Sequence, residues 1–142
     1  MYIDTMETFA DAQSVASAAG DVVSTNVYDT GAAADVGIGE EIYLYAKMNA
    51  ALVGAGASIQ VVLQHSTAVG SGYADIQAGP VVPVASAIAN ATLFKQRLPI
   101  GLNRYLRVVF RISGATTTAG TATAVLAKDV QGNQYLTSGT AF

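Results

Sequence analysis

The chain has 142 residues, enough for one domain with a core that needs no disulfide or metal to hold it. It contains no cysteine, which excludes a disulfide framework, a thiolate metal site and a cysteine nucleophile. Charged residues make up 12% of it and the net charge is −3 without a basic stripe, which argues against a nucleic-acid partner, and no apolar run reaches the length of a membrane span.

The opening, Met1-Tyr2-Ile3-Asp4-Thr5-Met6-Glu7, carries acids where a signal peptide would carry bases, so synthesis and folding in the cytoplasm are expected. Thr5 to Ala19 is Ala-rich and admits a helix opening at Asp4 or Thr5. Its β-branched and Ser residues near Val15 favour a short strand over Gln13 to Ser17 instead. Thr25 to Tyr28 reads as a second strand, ended by Asp29-Thr30-Gly31, and Ala32 to Glu40 as a loop with Gly37 and Gly39. In Ile42 to Met48 the alternation is clean: Ile42, Leu44, Ala46 and Met48 on one face, Tyr43, Tyr45 and Lys47 on the other.

Gly54-Ala55-Gly56 predicts a turn, Ser58 to Ser66 a strand with Ile59, Val61, Leu63 and His65 on one face, and Gly70-Ser71-Gly72 another break. Pro83 makes Val81 to Ala85 an edge strand or no strand. Thr92 to Leu98 is a strand closed by Pro99. Arg104 to Ser113 carries the strongest strand signal, with Leu106, Val108, Phe110 and Ile112 facing a core and Tyr105, Arg107, Val109 and Arg111 facing away. Thr121 to Val130 is expected to form a hairpin with it across Gly114 to Gly120, leaving Gln131 to Phe142 as a polar tail. Short strands separated by turn signals predict one all-β domain, an antiparallel β-sandwich or jelly roll.

Five groups of residues invite a functional reading. Val27-Tyr28-Asp29-Thr30-Gly31-Ala32 matches the hydrophobic-hydrophobic-Asp-Thr-Gly pattern of retropepsin-like aspartic proteases, in which paired carboxylates share a proton; Asp29 would be the catalytic acid. A later hydrophobic-hydrophobic-Gly-Arg or Gly-Asn segment should accompany it, and Pro99-Ile100-Gly101-Leu102-Asn103 imitates that poorly. The bland alternative is a strand end and turn. Asp35, Glu40 and Glu41 could offer oxygens to Ca²⁺, but the spacing is not that of an EF-hand, and acids between glycines commonly cap a turn. His65 is the single histidine and has no Gly-x-Ser-x-Gly elbow to serve, so a hydrogen-bonded strand residue is expected. Arg104, Arg107 and Arg111 suit either a stripe that binds a partner's carboxylates or cross-strand pairing with acids of this domain. Tyr43, Tyr45 and Lys47 could be a subunit contact, a sugar platform or a cover for the second sheet.

Several motifs in fixed order add a resemblance. They are Met1-Tyr2-Ile3-Asp4, Asp11-Ala12-Gln13, Ser24-Thr25-Asn26-Val27-Tyr28-Asp29-Thr30-Gly31 and Asp35-Val36-Gly37-Ile38-Gly39-Glu40-Glu41-Ile42-Tyr43. Leu98-Pro99-Ile100-Gly101, Arg104-Tyr105-Leu106-Arg107 and the Thr- and Gly-rich Gly114 to Ala124 follow. Together they resemble the Bbp16-type capsid cement proteins of tailed bacteriophages over nearly the whole chain. The resemblance implies a single jelly-roll domain over 1–142 and a non-enzymatic structural protein of the virion. It further implies a homo-oligomer, dimer or trimer, on the outer capsid surface that braces contacts between major capsid subunits. It transfers no catalytic, cofactor-binding or metal residue, and it makes Asp29-Thr30-Gly31 a structural turn. The expected contact segments are an N-terminal arm of about residues 1–19, the loop from Ala32 to Glu40, and the C-terminal tail of about residues 131–142. The competing functions are a carbohydrate-binding jelly roll of a tail or fibre protein and the aspartic protease.

Overall fold

Strands form where apolar and polar residues alternate, and glycines and prolines stop them. The computed structural model describes residues 7–31 and 41–128. Their strands, in chain order, are β1 (Thr8–Ser14), β2 (Gly20–Val23), β3 (Tyr28–Asp29), β4 (Tyr43–Val53) and β5 (Ser58–Ser66). Then come β6 (Ala74–Ala78), β7 (Val82–Pro83), β8 (Thr92–Arg97), β9 (Tyr105–Ser113) and β10 (Ala119–Ala127). One sheet has the order β1-β10-β4-β8 and the other β2-β9-β5-β6, with β3 also on β9 and β7 also on β5. Every pairing is antiparallel.

β2 and β3 lie along the same side of β9 as one interrupted strand, and β6 and β7 lie likewise along β5. Counted that way, the chain crosses between sheets at every connection except the β5–β6 hairpin, which is the jelly-roll arrangement. The sandwich is filled by the inward faces: Leu44, Ala46 and Met48 of β4, Ile59, Val61 and Leu63 of β5, and Leu106, Val108, Phe110 and Ile112 of β9. Ala122, Ala124 and Leu126 of β10 complete the layer, and Phe9 and Phe94 fill its sides. Each large side chain so buried stabilises the fold by about 1.5–3 kcal/mol relative to exposure.

β4, β5, β8 and β9 lie where alternation places them, and β7 is the edge strand that Pro83 predicts. Three expectations are corrected. The first strand is Thr8–Ser14, not Gln13 to Ser17, and the described part of the Ala-rich segment is extended, not helical. Its pairing with β10 slips between Thr8 and Ala10 and again between Ala10 and Gln13, and Ala12 has φ 46°. These bulges break the period of two, so the strand has no readable alternation.

The second strand is not Thr25 to Tyr28 but two pieces, β2 and β3. Ser24 still pairs with Val108 through its backbone N–H, and its hydroxyl accepts the Val108 N–H at 3.2 Å. Asn26 then turns away to bond the Phe9 carbonyl through its N–H and the Thr8 carbonyl through its side chain. The third correction concerns β10. It does not form a hairpin with β9 but crosses to the other sheet, between β1 and β4. The crossing is set by buried Thr117, whose hydroxyl donates to the Val15 carbonyl and whose N–H donates to the Ser17 carbonyl. β6 has too little apolar alternation to be legible in the sequence.

Candidate interaction surface

The outward residues of β9 set the chemistry of the second sheet. Alternation sends Tyr105, Arg107, Val109 and Arg111 away from the core, and the register sets each opposite an outward residue of β5: Ser66, Gln64, Val62 and Gln60. Val62 and Val109 are fully buried although they point outward. Arg111 spans the sheet over that level. Its Nε donates to Asp21 Oδ1 on β2 at 2.8 Å, and its Nη1 donates to Asp75 Oδ2 on β6 at 3.1 Å. The two aspartates hold its guanidinium well above the ordinary arginine pKa. Gln64 donates to Asp75 at 2.6 Å and accepts from Arg107 Nε at 2.8 Å. Asp75 is held below the usual carboxylate range, first by Gln64 and then by Arg111.

Arg107 ends this chain of bonds differently. Its guanidinium lies 3.9 Å from the centre of the Tyr73 ring, and the Tyr73 hydroxyl is fixed by donation to the Val69 carbonyl. Burial pushes the Tyr73 phenol up. Two residues from Arg107 along the strand, Tyr105 carries the Arg104 guanidinium 5.1 Å from its ring centre.

Arg104 is the partner of Asp29. Two bonds, Nε to Oδ1 at 2.8 Å and Nη2 to Oδ2 at 3.0 Å, make a forked ion pair. Asp29 Oδ1 also accepts the Gly31 N–H, and these bonds, Arg104 first, hold the carboxyl below its ordinary pKa. Thr30 donates both its N–H and its hydroxyl to the Arg104 carbonyl. Asp29-Thr30-Gly31 is thus a clasp between the end of β3 and the start of β9. A protease dyad needs a carboxyl that retains a shared proton, and an aspartate forked onto an arginine is held ionised.

The remaining described candidates lie elsewhere in the sandwich. His65 is half-buried and its Nδ1 accepts the Asn103 N–H at 3.1 Å, tying β5 to the loop before β9. Tyr43, Tyr45 and Lys47 form a half-buried row on the outer face of the first sheet. Tyr43 donates to Glu41 at 2.8 Å, which pushes its phenol up, and Glu41 lies 3.8 Å from Arg97. Tyr45 sits between Val125 and Lys95 in register. Lys47 and Lys95 make no ion pair among the described residues. Of the acidic loop only Glu41 is described; Asp35 and Glu40 lie outside the described residues, as do residues 1–6 and the tail from Gln131.

Cross-strand pairing therefore accounts for Arg104 and Arg111, so the expectation of a three-arginine stripe open to a partner's carboxylates narrows to Arg107. The alternation gave Arg107 and Arg111 a common face, but not Asp21, Gln64, Tyr73 and Asp75 as their neighbours. Asp21 is placed by the register of β2, Gln64 by that of β5, and Asp75 with the adjacent Tyr73 by β6, which has no legible pattern of its own.

A search of curated proteins finds no match to the chain. The family model of Bbp16, a phage-type family, matches residues 9–126, from β1 through all but the last residue of β10. With most of its length and both sheets inside that match, the chain belongs to the Bbp16 family.

Proposed function

We propose that the protein is a capsid cement protein of a tailed phage, which binds the outer surface of the major capsid shell across subunit seams and stabilises it without catalysis or cofactor. The observation that carries this reading is family membership over residues 9–126. The structure adds support of two kinds. The charged side chains on the second sheet are mostly spent on holding strands together, as in a protein built to be rigid rather than to move protons. The forked pair of Asp29 and Arg104 weighs against the aspartic protease.

In this reading the protein works by adding buried area at seams that fail first under internal DNA pressure. A symmetric homo-oligomer, dimer or trimer, presents matching patches to symmetry-related capsid subunits, so its second contact is effectively intramolecular. Glu7, Gly31, Glu41 and Lys128 are the described residues next to the proposed contact segments. The registers Thr8↔Val125, Ala127↔Tyr43 and Asp29↔Tyr105, with the Asn26 N–H bonded to the Phe9 carbonyl across the two sheets, put all four at the same end of the sandwich. The loop after Gly31 and the tail attach there, and the N-terminal segment through Ala19 enters the sandwich there as β1.

The test uses capsids assembled without this protein. Added purified protein is expected to bind them and to raise the temperature at which they break, measured by light scattering or by dye access to the packaged DNA. Absence of binding to expanded capsids overturns the reading.

A further inference from the structure

Three of the four arginines are neutralised within the domain. Arg97 faces Glu41, Arg104 is forked onto Asp29, and Arg111 lies between Asp21 and Asp75. Arg107 is the exception: it has no carboxylate partner among the described residues. Its Nε is committed to Gln64, and its planar face is committed to Tyr73. The edge that carries the two Nη atoms is engaged by no hydrogen bond among the described residues. That end-on edge can still take a carboxylate in a forked pair, as the Nε and Nη2 edge of Arg104 takes Asp29.

The group is also held still. Tyr73 is anchored through its hydroxyl, Gln64 is anchored on Asp75, and Asp75 on Arg111. An arginine fixed on both a ring and an amide loses little conformational freedom on binding, which removes much of the usual cost of recruiting a flexible side chain. The surroundings are those of a protein contact rather than of open solvent. Half-buried Tyr73 and Tyr105 flank Arg107, and Val69, whose carbonyl fixes Tyr73, leaves 59% of its surface exposed. Arginine and tyrosine beside an exposed aliphatic group is the composition that concentrates binding energy at interfaces.

We propose that Arg107, held flat against Tyr73 on the outer face of the second sheet, is the anchor through which the protein grips an acidic side chain of the major capsid protein. The chemistry commits the site to a carboxylate, because a half-buried cation without a counter-ion is complementary to an anion, and the neighbouring aromatic and aliphatic surface suits a protein carrier. The inference rests on the cement reading and adds to it the face, the residue and the charge of the partner.

The experiment measures binding of wild-type protein and the variants Arg107→Gln, Arg107→Lys and Lys95→Gln to capsids assembled without the protein, at low and high salt. Lys95→Gln removes the same charge from the outer face of the other sheet, where Lys95 likewise has no ion pair among the described residues. Arg107→Gln is expected to weaken binding about tenfold or more and to flatten its salt dependence. Arg107→Lys, which keeps the charge but loses the fork and the flat stack, should fall between it and wild type. Lys95→Gln should bind as wild type does. Wild-type affinity in Arg107→Gln, or an equal loss in Lys95→Gln, overturns the assignment while leaving the cement reading standing. Failure of the wild-type protein to bind at all overturns both. Melting curves of the variants separate loss of the contact from loss of the fold, and Arg107→Lys retains the test if Arg107→Gln unfolds.

Discussion

Single side chains carry much of the order on the second sheet, and they do so as ions. Asp29 and Asp75 both have carboxyl pKa values held below the ordinary 3.8, the first mainly by Arg104 and the second mainly by Gln64 and then Arg111. A carboxyl whose folded-state pKa lies below its unfolded value contributes stability that is fully present above the unfolded value. That contribution is lost as pH falls through the folded value. The loss therefore belongs to the acid side of 3.8, and neutral to mildly acidic solutions leave it intact. Both carboxylates are nearly half exposed, so the gain is small and screened by salt. Asp75 is the more informative of the two to change, because it joins Gln64 to Arg111 and so holds β6 against the rest of the sheet. Asp75→Asn is expected to cost no more than about 1 kcal/mol at neutral pH. Its melting temperature should also fall less steeply than that of wild type as the solution is made more acid than the ordinary carboxylate pKa. Parallel acid limbs for the two proteins in a thermal melt against pH would show that these bonds do not lower the Asp75 pKa.

At the scale of the element, what could be read from the chain depended on whether alternation survived. β5, β9 and the first half of β4 keep the alternation; β5 and β9 end within a residue of the expected bounds, while β4 runs on from Met48 to Val53 through Asn49, Ala50 and Ala51, which are all exposed. β1 carries two slips in register, and each slip turns the following residues to the other face, so no stretch of it looks like a strand. β10 alternates well enough to reveal its inward face, Ala122, Ala124 and Leu126, yet nothing in that pattern names its neighbours. Adjacency in sequence favoured β9, and the connection between them instead steps to the opposite sheet. Gly114 shows why the step is possible. It follows the last residue of β9 with φ +83°, a backbone state that favours glycine, and a Cβ placed on it would come within 2.3 Å of the Gly56 carbonyl oxygen. Gly114→Ala thus combines strain with a clash against backbone, which cannot swing aside as a side chain can. A loss of about 2–4 kcal/mol is expected, visible as a lower midpoint in urea with little change in slope. Gly56→Ala is the matching control: its φ is +77° but no atom lies within 4 Å of the added methyl, so it should lose only the strain component.

Taken whole, the molecule is a sandwich with two open flanks, and each flank is laced by side chains. On one, Gln13 of β1 donates to the Val23 carbonyl and accepts from the Thr25 N–H and hydroxyl, while Asn26 bonds the Phe9 and Thr8 carbonyls. On the other, Gln77 of β6 donates to the Gln96 side chain and the Arg97 carbonyl of β8. Such lacing occupies backbone groups that an unprotected edge strand would offer to a strand of another chain. It was invisible in sequence because it depends on β1 lying over β2 and β6 over β8, which only the jelly-roll path decides. Under the proposed cement role the consequence is specific. The protein's contacts with other chains should come from its faces, and not from strand addition at the flanks. Opening the first flank should therefore change association more than it changes folding. The double variant Gln13→Ala with Asn26→Ala removes side-chain bonds to two strands' backbone, a loss of about 0.5–1.5 kcal/mol for each bond that water does not replace, while the buried core stays untouched. The expected outcome in sedimentation velocity is a folded protein with concentration-dependent larger species that wild type lacks. A double variant that sediments as wild type does at every concentration would mean that the lacing holds the strands in register but does not guard the flank.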